Sequence, residues 1–200
     1  MNATKINFVE ALTTSITWGL KNLPSIIGAV ILWGLTCWIP YLNIGTTIAL
    51  ITIPIEISKG KVISPTFIFD SKYRKYMGEF FLHNGLKFQA MMLGYALFII
   101  PGVIIGLAWS MSNFLLIDKG MNPMEALSKS NKATDGNKAN MFLAMLVIGV
   151  IIGVLLWIFG FLGIVGSILS LLLVLAASPI YFSLKAYFYK TLILDVETEE

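Results

Sequence analysis

"ANMFLAMLVIGVIIGVLLWIFGFLGIVGSILSLLLVLAASPIYFSL", Ala139 to Leu184, runs for 46 residues without an Asp, Glu, Lys or Arg. A helix rises 1.5 Å per residue, so about 20 apolar residues cross the roughly 30 Å hydrocarbon core of a bilayer. The stretch is long enough to cross twice, and Gly160 and Gly163 near its middle mark the turn. Two shorter charge-free windows precede it, Asn22–Ile55 (34 residues) and Phe88–Ile117 (30 residues). Each is long enough for one extended span or two short ones.

The lysines decide between these. If each shorter window crossed once, loops 56–87 and 118–138 would lie on opposite faces. Both loops are basic: Lys59, Lys61, Lys72, Arg74, Lys75 and Lys87 in one, Lys119, Lys129, Lys132 and Lys138 in the other. Basic loops gather on the cytoplasmic side. Folding every window into a hairpin puts all 14 Lys and Arg on one face. "IPYLNIG", "IIPGVIIG" and "FGFLGIVG" supply the turns, through Pro40, Pro101–Gly102 and Gly160/Gly163. The expected fold class is all-α: a polytopic transmembrane helical bundle with about six membrane segments as three hairpins. The segments are 23–39, 44–58, 80–100, 102–117, 140–158 and 163–188. Residues 1–200 form a single membrane domain, with both termini and the charged loops cytoplasmic. Several segments are short for a bilayer, so Lys21, Lys87 and Lys185 are expected to snorkel, or a hairpin to be re-entrant.

Composition agrees. Hydrophobic residues make up 57% of the chain and charged residues only 12%, about half of what a soluble domain carries, and mean hydropathy is +0.83. A net charge of +3 with no basic patch carrying base-reading side chains gives no reason to expect a nucleic-acid partner. The single cysteine, Cys37, excludes an intramolecular disulfide and a thiolate metal cluster. About 22 rather polar residues precede the first apolar run, so no cleaved signal peptide is expected.

"NFVEALTTS" (Asn7–Ser15) and "NPMEALSKS" (Asn122–Ser130) share Asn, Glu, Ala, Leu and Ser at matching places. Both read as helix starts. Asn7 and Asn122 are N-caps, Glu10 and Glu125 follow three residues later, and Pro123 takes the first helical position. After the first frame, Phe8, Leu12, Ile16 and Leu20 recur every four residues opposite Glu10, Thr14, Thr17 and Lys21. That pattern predicts an amphipathic helix lying at the cytoplasmic interface. Downstream, "GLKN" is echoed by "GNKAN", and "PIEIS" by "PIYFS". An interfacial helix followed by a hairpin is thus expected twice, in 7–58 and 122–183, separated by 59–121. The separation is an even number of spans, which makes the repeat parallel rather than inverted.

The stretch "PGVIIGLAWSMSNFLLIDKGMNPMEALSKSNKATDGNK" resembles a broad group of bacterial integral membrane proteins related to the membrane-anchor domain of some glycerophosphoryl diester phosphodiesterases. The pattern is Pro101–Gly102, a helix ending in Asp118, then Ala126–Leu127–Ser130, then Gly136–Asn137–Lys138. The match covers about 40 residues closely and the rest by topology. With no phosphodiesterase domain in the sequence, that activity does not carry over. The resemblance marks Asp118, Glu125, Ser130, Gly136, Asn137 and Lys138 as candidate functional residues.

The usual catalytic and metal-binding motifs are missing, among them His-Glu-x-x-His, the phosphate-binding Gly-rich loop, Gly-x-Ser-x-Gly and Cys-x-x-Cys. His83, the lone histidine, reads as an interfacial polar residue. The apolar windows hold no Asp, Glu, Lys, Arg or His, the groups that coupled carriers of charged solutes keep at mid-membrane. Mildly polar groups remain: Ser110 and Asn113 in "AWSMSNF", and Tyr95. These are candidate intramembrane residues, either bonded between helices or lining a small polar cavity. "GVIIG", at 102–106 and again at 149–153, fits close helix packing within the bundle or between copies of the chain. "FIFDSKYRKYMGEFF" (Phe67–Phe81) suits a bilayer surface with anionic headgroups. The expectation is a non-enzymatic protein without cofactor in the bacterial cytoplasmic membrane. Its role would be accessory to membrane homeostasis or to transport of a lipid-like or neutral molecule, with a protein partner or homo-oligomer left open. The alternatives are a dedicated transporter or permeation path for an apolar or uncharged substrate, and an immunity-type protein against a toxin or bacteriocin.

Overall fold

The computed structural model describes residues 5–198, and all of their regular structure is helical. The expected placement of the two termini lies outside the described residues. The helices are α1 (Phe8–Lys21), α2 (Leu23–Thr36), α3 (Leu42–Ile51), α4 (Ile53–Ser58), α5 (Met77–Leu97), α6 (Ile99–Ala108), α7 (Ser112–Asp118), α8 (Pro123–Ala133), α9 (Lys138–Gly160), α10 (Gly163–Tyr189) and α11 (Asp195–Thr198). Two 3-10 turns, Pro65–Phe69 and Ser71–Tyr76, lead into α5, and a π turn, Lys190–Leu194, follows α10.

Three stretches are long and apolar enough to cross a membrane: 99–118 (α6 and α7 taken together), Lys138–Gly160 and Gly163–Thr198. α1 and α2 pass the same test only as a pair bent by 74°. α5 has the length, but Glu79, His83 and Lys87 lie along it.

Local chemistry sets the helix starts. Asn7 Oδ1 accepts from the Val9 and Glu10 N–H groups at 3.0 and 3.3 Å, and Asn122 Oδ1 accepts from Glu125 N–H at 2.9 Å. Both satisfy donors that a helix N-terminus otherwise leaves unpaired. The Pro101–Gly102 turn falls elsewhere than expected. The chain reverses at Phe98, whose backbone is extended, and Pro101 sits in the first turn of α6, where a missing N–H costs nothing.

The core sits where the charged segments meet. Ile53, Leu115, Leu116, Ala126, Leu184, Phe188 and Tyr189 are fully buried there. Lys59 and Tyr189 both reach Asp118, and Lys119 and Lys129 both reach Glu197. Far from this end the surface is apolar: Trp38, Phe98 and Ile164 are 76%, 77% and 83% exposed. α9 and α10 pack against each other across the Phe161–Leu162 turn, but most of their apolar side chains face outward.

α10 also packs against α1, α2 and α4. Its Pro179 cannot donate to the Leu175 carbonyl, and Ser178 Oγ takes over that role at 2.8 Å. A Cβ at Gly19 would lie 3.1 Å from the backbone of Pro179 and Ile180, so α1 and α10 nearly touch. The buried face of α1 is therefore Ala11, Ser15 and Gly19, while Ile16 and Leu20 of the expected apolar stripe stay exposed. Small residues permit this close approach, and the large ones are left for the surroundings. "GVIIG" behaves differently in its two copies. Gly102 packs beneath the Tyr95 ring, whereas Gly149 and Gly153 face open space within the chain. α1 packs on α10 and α8 on α7, so the two capped helices have different partners.

Candidate functional site

Helix α6 stops at Ala108 and α7 begins at Ser112, with Trp109, Ser110 and Met111 forming a turn between them. In an unbroken helix the Ala108 carbonyl would accept from Ser112 N–H. That N–H goes to Trp109 O at 3.3 Å instead, and neighbouring helices complete the bonding. Ser130 Oγ, from α8, donates to Ala108 O at 2.7 Å and accepts from Met111 N–H at 3.2 Å. Thr134 Oγ1 lies 3.3 Å from the same carbonyl. From α5, Lys87 Nζ donates to Trp109 O at 2.8 Å. Ser112 Oγ donates to Trp109 O at 2.6 Å and pairs with His83 Nε2 at 2.9 Å. Ser130, Thr134, Ser112 and His83 are all buried. His83, expected as an interfacial polar residue, is here enclosed by the protein rather than exposed. Irregular backbone inside an apolar region persists only where such partners satisfy it.

The other candidates from the family-like stretch hold neighbouring joints. Asp118 accepts from Tyr189 Oη at 2.8 Å and from Lys59, tying the end of α7 to α10 and to the loop after α4. Glu125 is exposed and completes the cap, accepting from Asn122 Nδ2 at 3.2 Å. Gly136 has φ +73°, the left-handed conformation that glycine takes cheaply after a helix. Asn137 is buried and its Oδ1 accepts from Ile6 N–H at 2.8 Å, while Asn140 Nδ2 donates to Ile6 O at 2.8 Å. Lys138 pairs with Asp135 at 3.1 Å, and that hydrogen bond holds the Asp135 carboxyl below its ordinary range. These six residues do not converge on one cavity. They fasten the segments at the charged end to one another.

A cavity of about 280 Å³ does lie beside the break. Ser110, Asn113, Lys87 and Lys185 bring polar atoms to it, and Ile51, Met91, Phe114, Tyr181 and Phe182 are among its apolar walls. Ser110 Oγ donates to Leu107 O at 2.7 Å, within its own turn. Asn113 Nδ2 approaches Asn84 Oδ1 at 3.4 Å, and Asn113 Oδ1 is buried with no hydrogen-bond partner among the described residues. Lys185 Nζ stands over the Tyr181 ring, 5.7 Å from its centroid. Among the described residues no carboxylate lines the cavity. Tyr95, the third intramembrane candidate, is elsewhere: it covers Gly102 at the α5–α6 join.

So the structure brings Ser110 and Asn113 together and adds Lys87 and Lys185, which the sequence offered only as snorkelling residues. Their positions were the signal, for each directly borders an apolar window. Chemically the site offers two ammonium groups, a hydroxyl and an amide against an apolar wall, a set suited to a polar or anionic group carried by an apolar body. Among the described residues no cluster of His, Cys, Asp and Glu is arranged to hold a metal ion. Comparison of the chain with known protein families, curated proteins and solved structures returns no match.

Proposed function

We propose that the chain is a non-enzymatic integral membrane protein of the bacterial cytoplasmic membrane, accessory to membrane homeostasis or to transport of a lipid-like molecule. The observation that carries this is the cavity beside the α6–α7 break, which joins four polar side chains to apolar walls within a helical body whose far surface is apolar. A ligand fitting both must itself be amphiphilic.

The finer topology belongs to the same proposal: six segments in three hairpins, the charged loops cytoplasmic, and 7–58 and 122–183 as copies of one parallel module. Three contacts support a common foot for the hairpins. Lys59 meets Asp118, Lys119 meets Glu197, and Ile6 is held by Asn137 and Asn140, so the segments flanking the apolar helices share one end. The reading agrees with the resemblance to the membrane-anchor group and takes no phosphodiesterase activity from it. One observation favours a second reading, a dedicated permeation path for an uncharged substrate: transporters commonly build their sites at breaks in membrane helices, and a polar cavity adjoins this one.

Deleting the gene tests the proposal. The expected result is altered phospholipid composition or altered sensitivity to membrane-active amphiphiles, restored by the wild-type chain. Unchanged lipids and unchanged amphiphile sensitivity would overturn it. Selective loss of uptake of one uncharged solute would move the assignment to the permeation path, and sensitivity to one bacteriocin alone to an immunity role.

A further inference from the structure

We infer that the cavity between α5, the α6–α7 break and α10 binds a phosphate group, with the phosphate of an anionic membrane lipid as its source. The inference rests on the reading of the chain as a lipid-handling membrane protein and assigns that reading a ligand class and its contacts.

Lys87 and Lys185 face one cavity without a carboxylate to balance them. Lys87 spends one of its three N–H donors on Trp109 O. Lys185 makes no hydrogen bond or ion pair among the described residues and stands over the Tyr181 ring. Two half-buried ammonium groups of like charge are costly in an apolar setting unless an anion lies between them. A second basic hollow at the charged end, lined by Lys21, Lys59, Lys61 and Lys190, makes the contrast. There Lys59 is already bound to Asp118 and Lys61 to Glu56, so two of its four cations are neutralised by the protein itself. In the cavity beside the break none is.

The remaining geometry favours a lipid over a free ion. About 280 Å³ is small for a whole amphiphile, since small-molecule pockets start at roughly 300 Å³. It takes a headgroup and leaves acyl chains outside. One wall opens onto apolar surface: Tyr181, which lines the cavity, is itself 46% exposed. A phosphate seated between the ammonium groups takes charge-assisted hydrogen bonds from both, while the Ser110 hydroxyl and the Asn113 amide stand by for ester or glycerol oxygens.

The test is native mass spectrometry of the full-length chain in detergent, titrated with phosphatidylglycerol, phosphatidic acid, phosphatidylethanolamine and diacylglycerol. Retention of the two anionic lipids over diacylglycerol is expected. Lys87→Gln and Lys185→Gln should each weaken it by about tenfold, and Lys61→Gln should leave it unchanged. Lys185→Arg should retain binding. If either Lys→Gln variant does not fold, Asn113→Asp keeps the cavity volume and adds a carboxylate, and it should abolish retention. Competition by millimolar inorganic phosphate or glycerol phosphate at comparable affinity would make the phosphate source soluble rather than lipid. Equal retention of diacylglycerol and phosphatidylglycerol, or retention unaffected by both the lysine and Asn113→Asp variants, overturns the inference. A deletion phenotype in lipid composition that survives such a result would leave the broader function standing without this site.

Discussion

Replacing Ser130 with alanine removes one oxygen atom and strands a buried backbone group. Ser130 Oγ is the acceptor for Met111 N–H at 3.2 Å and a donor to Ala108 O at 2.7 Å, and the residue is fully buried. In the variant Ala108 O keeps Thr134 Oγ1 at 3.3 Å, but Met111 N–H keeps nothing in a place water does not reach. An unsatisfied buried group costs about 1–3 kcal/mol, so a loss of about 2 kcal/mol is expected. Ser15, the matching position of the first frame, is equally buried, yet its hydroxyl donates only to Leu12 O of its own helix at 2.8 Å. Its removal leaves an ordinary helical carbonyl and should cost under about 0.5 kcal/mol. The difference, about 1.5 kcal/mol, is roughly tenfold in the unfolding equilibrium. Unfolding of the purified chain in mixed micelles by increasing detergent denaturant, followed by tryptophan fluorescence, measures it. Ser130→Ala combined with Thr134→Val removes both hydroxyl donors to Ala108 O and should lose more than the sum of the single changes. Equal midpoints for Ser130→Ala and Ser15→Ala would refute the idea that α8 holds the break.

Topology is checked by single cysteines in a Cys37→Ser background: those at Trp38, Phe98 and Ile164, all strongly exposed, should label from outside the cell, and those at Ser71 and Asn131 should not. Gly102→Ala would place its Cβ 2.3 Å from the Tyr95 ring, so a loss on the scale of core overpacking, about 1–3 kcal/mol, is expected in the same unfolding assay. Gly149→Ala meets nothing within 4 Å and should be neutral or stabilising by up to about 1 kcal/mol, whereas destabilisation with loss of a dimer would show that copies pack there. The Asp70 carboxylate accepts from Lys72 N–H at 2.9 Å, and this bond, followed by the Lys72 ammonium, lowers its pKa below 3.8. A lowered folded value means the contribution is present above the unfolded pKa and is lost as pH falls through the folded one; an NMR titration of the Lys72 amide should show this step below about pH 4, and Asp70→Asn should remove it.

What the sequence made legible was local. The caps at Asn7 and Asn122 need only a side chain and the next three N–H groups, so five shared residues were enough to find them. The apolar windows needed only a count of charges. The break at 109–111 was not legible because "AWSMS" contains neither Pro nor Gly; residues 19 to 22 positions away, Ser130 and Lys87, support it by offering side chains to the freed backbone groups. The packed face of α1 was not legible for a different reason. The apolar stripe marked a face for the bilayer surface and said nothing of the opposite contact, where Ala11, Ser15 and Gly19 pack while Ile16 and Leu20 stay exposed. The cavity lysines were visible as letters, but only the fold brings Lys87 of α5 and Lys185 of α10 to one space.

Because α1 and α4 pack on α10, and α7 closes on Tyr189 through Asp118 and Phe114, the ribosome must pass Leu184 before the core has a centre. At about 5–20 residues per second, α1 waits some ten seconds or longer for the face that receives Ala11 and Gly19. During that interval the earlier helices depend on the insertion machinery, or on the bilayer, to keep them from wrong partners. A nascent chain arrested before Leu184 should therefore be recognised as unfinished and degraded, while one arrested after Ile193 should already resist proteolysis. Quality control of this protein is thus a reading of residues 184–193.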